Sequence, residues 1–219
     1  MSTVESIPLK PLAERLVLEA VDIARASGPD SLSLREVQRR VGVSPAAAYR
    51  HFRDRAALLL AVAQKSAGLL AEHIAAAIAA APDSDVGAAT ARARLLAGCQ
   101  GYIDFAVKNP GLYRAIFFSD EQIEDLVTPS EWARNSVGDG GYNLLVAAVR
   151  DVVISTSGSQ PNDWDPLVIW SACHGLAMLR LDAALRSLSD EGFAQARDRV
   201  LTTITMAVPL NTVPERKRP

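Results

Sequence analysis

Six arginines fall between residues 35 and 55, namely Arg35, Arg39, Arg40, Arg50, Arg53 and Arg55, with Tyr49 and His51 among them. Guanidinium groups at this density suit phosphate, because each is a permanent cation whose donors form a planar fork; a nearby phenol or imidazole adds further contacts. Covalent or metal chemistry has less to work with. His73, His174, Cys99 and Cys173 are the candidates, yet they show no metal-ligand spacing and no nucleophile beside its base. Cys173 and His174, adjacent on a helix, would point about 100° apart. Both cysteines lie inside apolar helical patterns and read as buried, reduced thiols. The expectation is a chain with no catalytic residue, no metal and no cofactor.

The arginines need a scaffold, and the sequence supplies one. Ser33 followed by Glu36 has the spacing of a capping box, and Leu34, Val37 and Val41 give the helix that follows one buried face. Gly42 supplies the positive φ that ends this helix, Val43 plugs the angle, and Ser44 with Pro45 restarts the chain as cap and first helical residue. The product is a helix-turn-helix. In its second helix Ala48 and Phe52 point inward, which leaves Pro45, Ala46, Tyr49, Arg50 and Arg53 outside. Small residues beside arginine are poor packing material, but they let a helix approach base edges: alanine methyls can meet thymine methyls while Arg50 reaches guanine or a phosphate.

The run Val41-Gly42-Val43-Ser44, then Tyr49-Arg50-His51-Phe52 and a basic residue, Arg55, at the start of a Leu-rich helix, resembles the DNA-binding domain of the tetracycline-repressor-like (TetR) transcriptional regulators over roughly residues 12 to 62. The resemblance implies phosphate contacts from Tyr49, His51 and Arg55, a backbone contact from Ser44, and base readout by Arg35, Pro45, Ala46 and Arg50, with Ser33 beside them as cap. Pro45 and three alanines stand where Lys, Gly, Thr or Ser are common, so base preference is left open. The segment Trp170-Ser171-Ala172-Cys173-His174-Gly175 resembles the Trp-His-Gly class of the family's C-terminal domains, and Asn109-Pro110-Gly111-Leu112-Tyr113 resembles the segment before their ligand pocket.

The pattern predicts an all-α chain: a three-helix head over residues 8–53, a long fourth helix leading into an effector-binding and dimerisation body over 54–208, and an unstructured tail over 209–219. Helix 1 is expected from Pro11 to Ser27, helix 4 from Asp54 to about Ala81, helix 5 to Lys108, and helix 6 after a break and cap at Asn109-Pro110. Helix 7 should open at the capping box Thr128-Pro129-Ser130-Glu131. Gly138, Gly140 and Gly141 should then produce a kink, a close crossing or a break, with a hinge and a packing spot both open as roles. Helix 8 is expected from Asp163 to about Arg186 and helix 9 from Ser189 to Val208. Helix 8 is apolar on two sides, so one face should meet its own core and the other a second subunit. Ala172, Leu176, Leu179 and Ala183, with Val200 and Ile204 of helix 9, are the candidate dimer interface. His174 is either a core histidine or a polar contact inside an effector cavity lined by Phe105, Tyr113, Phe117, Tyr142, Trp170 and Met178.

Charge supports this division. Up to Lys65 there are ten Lys or Arg against seven Asp or Glu, and beyond it thirteen against eighteen, so a net charge of −2 hides a basic head on an acidic body. The expected function is a DNA-binding regulator, a repressor by default, released from a palindromic operator by a small, mainly apolar effector. Double-stranded DNA, the effector and a second copy of the chain are the partners, with no membrane and a cytoplasmic location, since the sequence has no signal-peptide layout and no long apolar run. A helical interaction or ligand-binding module without a DNA role, or an all-helical enzyme with a vestigial head, are the other classes considered.

Overall fold

The computed structural model describes residues 11–84, 86–117, 129–162, 164–182 and 184–208, and of residues 129–139 the backbone only. The tail 209–219, Ala183, and the capping side chains of Thr128 and Glu131 lie outside the described residues. The described chain is all helical: α1 Leu12–Ser27, α2 Leu34–Val41, α3 Pro45–Tyr49, α4 Arg55–Ala79, α5 Gly87–Lys108, α6 Pro110–Ile116, α7 Pro129–Ser157, α8 Trp164–Asp182 and α9 Asp190–Ala207. A short 3-10 turn, Pro29–Ser31, joins α1 to α2.

The head forms because three short helices share one small core. Leu16, Ala20, Ile23 and Ala24 of α1 are buried as their spacing predicts, and Leu34, Val37, Ala48 and Phe52 close on them. α4 is 25 residues long, about 37 Å at helical rise, and its buried Leu58 and Val62 seal the head while Leu70 and Ile74 enter the body. Asp54 starts α4 by accepting a hydrogen bond from the Ala57 amide at 2.8 Å. The apolar core therefore runs without interruption from Leu16 to Leu201.

The body is built around close crossings. A Cβ on Gly98 would lie 3.1 Å from the Ile78 side chain, and one on Gly101 would lie 2.8 Å from the Ala77 methyl, so α5 rests directly on α4. α7 runs unbroken through its three glycines. A Cβ on Gly140 would lie 3.1 Å from that of Ala71 on α4, which makes the close crossing the outcome seen.

Three expectations need correction. Ser33 makes no side-chain cap, and the Glu36 carboxylate, which would accept from the Ser33 amide in the other half of the box, turns instead to the arginines one helical turn on. Asn109 caps nothing on α6; its side-chain amide donates back to the Phe105 carbonyl of α5 at 3.3 Å. α8 stops at Asp182, four residues short of Arg186, because Arg180 organises a chain reversal. Its guanidinium donates to the carbonyls of Leu185 and Leu188 at 3.1 and 2.7 Å and to the Asp190 carboxylate at 2.6 Å, and it lies 5.0 Å above the Phe193 ring.

Candidate nucleic-acid interface and effector cavity

The interface begins at a turn. Gly42 adopts φ 75°, a left-handed conformation that costs glycine little, and its amide and that of Val43 both reach back to the Gln38 carbonyl at 3.0 Å. Ser44 then accepts from the Ala47 amide at 3.3 Å and Pro45 takes the first position of α3. With Ala48 and Phe52 buried, α3 keeps a fixed inner face, and Arg35, Ser44, Pro45, Ala46, Tyr49, Arg50 and His51 are left exposed. Ser33 is half-buried beside them.

The six arginines divide by their partners. Arg39 and Arg40 both bind Glu36 at 2.7 Å, and Arg40 also reaches Glu19 at 3.3 Å. Hydrogen bonds from these two guanidinium groups hold the Glu36 carboxyl at about 2, well below the usual carboxylate range. Arg53 pairs with Asp54 at 2.9 Å. Arg55 is drawn to the protein's own backbone: Nε donates to the Leu32 carbonyl and Nη2 to that of Pro29, each at 2.9 Å, tying the start of α4 to the α1–α2 link. Arg35 and Arg50 alone among the six form no ion pair with described residues and no hydrogen bond that fixes their guanidinium. In the chain they precede and follow Pro45 and Ala46, and all four residues are exposed.

The body encloses an apolar cavity between α4, α5, α7 and α8, with a volume of about 30 Å³ open to the centre of a water molecule. That is room for one or two waters, so anything larger must push the helices apart. Ile74, Ile78, Leu95 and Leu145 are the large aliphatic residues of its wall, and Tyr142 and Trp170 of the seven expected residues stand in it. Tyr113, Phe117 and His174 form a packed cluster behind the wall: Phe117 lies 4.6 Å from the His174 ring, and the Tyr113 hydroxyl is 2.7 Å from His174 Nδ1. Phe105 is buried against His73, ring centres 6.0 Å apart, and Met178 is half-buried; neither is in the wall.

Sequence reasoning missed Tyr102, Cys99 and Cys173, all of which line the cavity. The available signal was the spacing of Leu95, Cys99 and Tyr102, offsets of four and seven that put all three on one face of α5. Tyr102 links cavity to cluster, its hydroxyl lying 3.0 Å from that of Tyr113 and 3.2 Å from His174 Nδ1. Burial pushes the Tyr102 and Tyr113 phenols up and the His174 imidazole down; contact with the Cys99 thiol, then burial, pushes Cys173 up. Every one of these groups is therefore uncharged at neutral pH.

α6 connects this cluster to the head. Tyr113 sits in its middle, Arg114 pairs with Asp182 of α8, and Gly111 is pressed against the last turn of α1, where a Cβ would lie 2.0 Å from the Ala24 carbonyl oxygen. On the opposite side of α8, Val168 and Leu179 are 41% and 42% exposed, with Ala172 half-buried between them. Val200 and Ile204 of α9 are half-buried as well, whereas Leu176 is buried in its own subunit and faces inward.

Comparison with known proteins agrees with this architecture. Residues 16–62 match the family model described as bacterial regulatory proteins, tetR family, and residues 95–204, half of the chain, match that described as the tetracyclin repressor-like C-terminal domain. The Trp170-to-Gly175 segment lies in the second match and is compatible with the Trp-His-Gly class. Among solved structures, a protein of unknown function from Rhodococcus sp. RHA1 is 27% identical with a TM-score of 0.67, covering 91% of this chain and 98% of its own. A tetR-family transcriptional regulator from Streptomyces coelicolor is 21% identical with a TM-score of 0.61, over 92% of this chain and 83% of its own. The transcriptional regulator FadR from Bacillus subtilis, solved with stearoyl-CoA, shares the fold at 12% identity and a TM-score of 0.62, over 89% and 98%. No curated protein matches the chain by sequence.

Proposed function

Because this chain belongs to the tetracycline-repressor-like (TetR) family of DNA-binding transcriptional regulators, we propose that it is a repressor that grips a two-fold symmetric operator as a dimer and is released by a small, mainly apolar effector. Members of the family bind operator DNA and small-molecule ligands, act as dimers, and are generally not enzymes. Among the described residues no helix is long and apolar enough to cross a membrane; a cytoplasmic location, beside its DNA, is part of the proposal.

The observation that carries the reading is the sorting of the arginines. Four are engaged within the protein by ion pairs or by hydrogen bonds to its backbone, and the two that are not, Arg35 and Arg50, are exposed and precede and follow in the chain an exposed, small-residue stretch of α3. Arg35, Pro45, Ala46 and Arg50 would meet bases, and Ser44, Tyr49 and His51 the backbone. Arg55 is better read as a brace for the head than as a phosphate contact. Taking residues 8–53 as head and 54–208 as body, the heads of a dimer would enter successive major grooves about 34 Å apart, or a multiple of it.

Dimerisation would use the exposed stripe of Val168, Ala172 and Leu179 with Val200 and Ile204, and the matching face of a second copy. An effector that opens the narrow cavity displaces α4 and, through Tyr102, the Tyr113 hydroxyl on α6. Gly111 passes that shift to α1. To convert mostly bound protein to mostly released, the effector must prefer the released form by roughly 10⁴-fold. Selection of bound duplexes from a random pool tests the proposal. Enrichment of one two-fold symmetric site supports it, and recovery of the unselected pool refutes it.

A further inference from the structure

The cavity wall contains no charged side chain among the described residues; its polar groups are phenols, an indole and two thiols. A carboxylate or ammonium taken into it would lose its hydration with nothing opposite to replace it. The polar groups are also arranged in a sequence. Neutral His174 carries one ring proton; assigning it to Nε2 leaves Nδ1 as acceptor for the closest hydroxyl, that of Tyr113 at 2.7 Å. The Tyr102 hydroxyl lies farther from both acceptors, at 3.0 and 3.2 Å, and the acceptor it shares on His174 is already served by Tyr113. Of Tyr102, Tyr113 and His174, Tyr102 alone lines the cavity, and its hydroxyl can leave the cluster while Tyr113 and His174 keep their mutual bond.

We propose that the effector is an uncharged molecule, largely apolar, whose single hydrogen-bond-accepting oxygen, a carbonyl of ketone or ester type, takes the Tyr102 hydroxyl at the α5–α8 side of the cavity. This rests on the reading of the cavity as the effector site and adds the chemistry the site selects. A carbonyl replaces one hydrogen bond of Tyr102 with another, whereas a hydrocarbon leaves Tyr102 bonded to Tyr113 as it is. Anions are excluded by the wall, and the oxygen sets the orientation of the ligand. The same contact reports occupancy to α6, since Tyr113 loses the Tyr102 donor when the ligand takes it.

The test uses the full-length protein and three probes of similar length: methyl pentyl ketone, n-heptane and, at a pH where it is ionised, heptanoate. Binding is read by thermal shift and by Trp fluorescence in the wild type and in Tyr102→Phe. The ketone should bind at least as tightly as heptane, and heptanoate should not bind. In Tyr102→Phe the ketone should weaken by about tenfold while heptane is unchanged, the loss expected when one buried hydrogen bond is removed. Ala148→Trp, which narrows the cavity from α7, should weaken ketone and heptane alike. Heptanoate binding as tightly as the ketone, or a ketone affinity indifferent to Tyr102→Phe, overturns the proposal and leaves the cavity as an effector site. Failure of every probe to bind the wild type, with site-specific DNA binding intact, overturns the effector reading of the cavity and the anchor with it.

Discussion

Replacing Gly111 by alanine is the sharpest perturbation the fold offers. The added Cβ would sit 2.0 Å from the Ala24 carbonyl oxygen, 3.0 Å from the Ala24 carbonyl carbon and 3.2 Å from the Arg25 carbonyl oxygen. All three neighbours are backbone, so no rotamer can yield. Restoring ordinary contact at 3.4 Å demands about 1.4 Å of relative movement between α6 and the last turn of α1. Overpacking of this kind costs about 1–3 kcal/mol, and for a chain of this size that lowers Tm by about 2 to 12 °C. The displacement falls at the junction of body and head, so the affinity for a selected duplex should drop as well. Gly68→Ala is the control: it lies within α4 with nothing within 4 Å of the added Cβ, and it should stabilise by about 1 kcal/mol. Thermal denaturation and fluorescence anisotropy on both variants decide the matter. If Gly111→Ala is as stable as the wild type and binds DNA equally well, the account of the α6–α1 contact is wrong.

Arg50→Ala should weaken duplex binding and, where Arg50 meets a phosphate, reduce the slope of log affinity against log salt by about 0.9; anisotropy titrations across a salt series read both. Arg55→Ala should instead lower stability in urea by about 1 kcal/mol and leave that slope unchanged, since its guanidinium serves the Leu32 and Pro29 carbonyls. His174 carries a depressed folded value, so the unfolded chain takes up its proton first. Its contribution is fully present above the ordinary 6.5 and is lost as pH falls below it toward the folded value. Urea unfolding above and below that pH should show the loss in the wild type and a shallower loss in His174→Gln.

Legibility in the sequence followed locality. The turn at Gly42, the caps at Ser44 and Asp54, and the α1 stripe are set by residues within one or two helical turns, and all stand where spacing puts them. The Glu36 half of the capping box at Ser33 failed because two nearby arginines compete for that carboxylate, and i to i+3 and i to i+4 ion pairs are as local as a capping box. The end of α8 was hidden because Arg180 reaches across up to ten residues to hold a loop, a tertiary use of a side chain that helical periodicity does not register. The cavity was half legible. Aromatic residues on α6, α7 and α8 marked the neighbourhood, but which ring faces the space and which packs behind it depends on how α5 crosses α4 at Gly98 and Gly101, and no single helix encodes that angle.

The central claim is that the surface of Arg35, Ala46 and Arg50 meets DNA, and amide hydrogen exchange with and without the selected duplex tests it most directly. The account predicts slowed exchange across the α2–α3 turn and α3, at Val43 through His51, and at the start of α2. Protection confined to α5–α9, or none in the turn and α3 at saturating duplex, would contradict it.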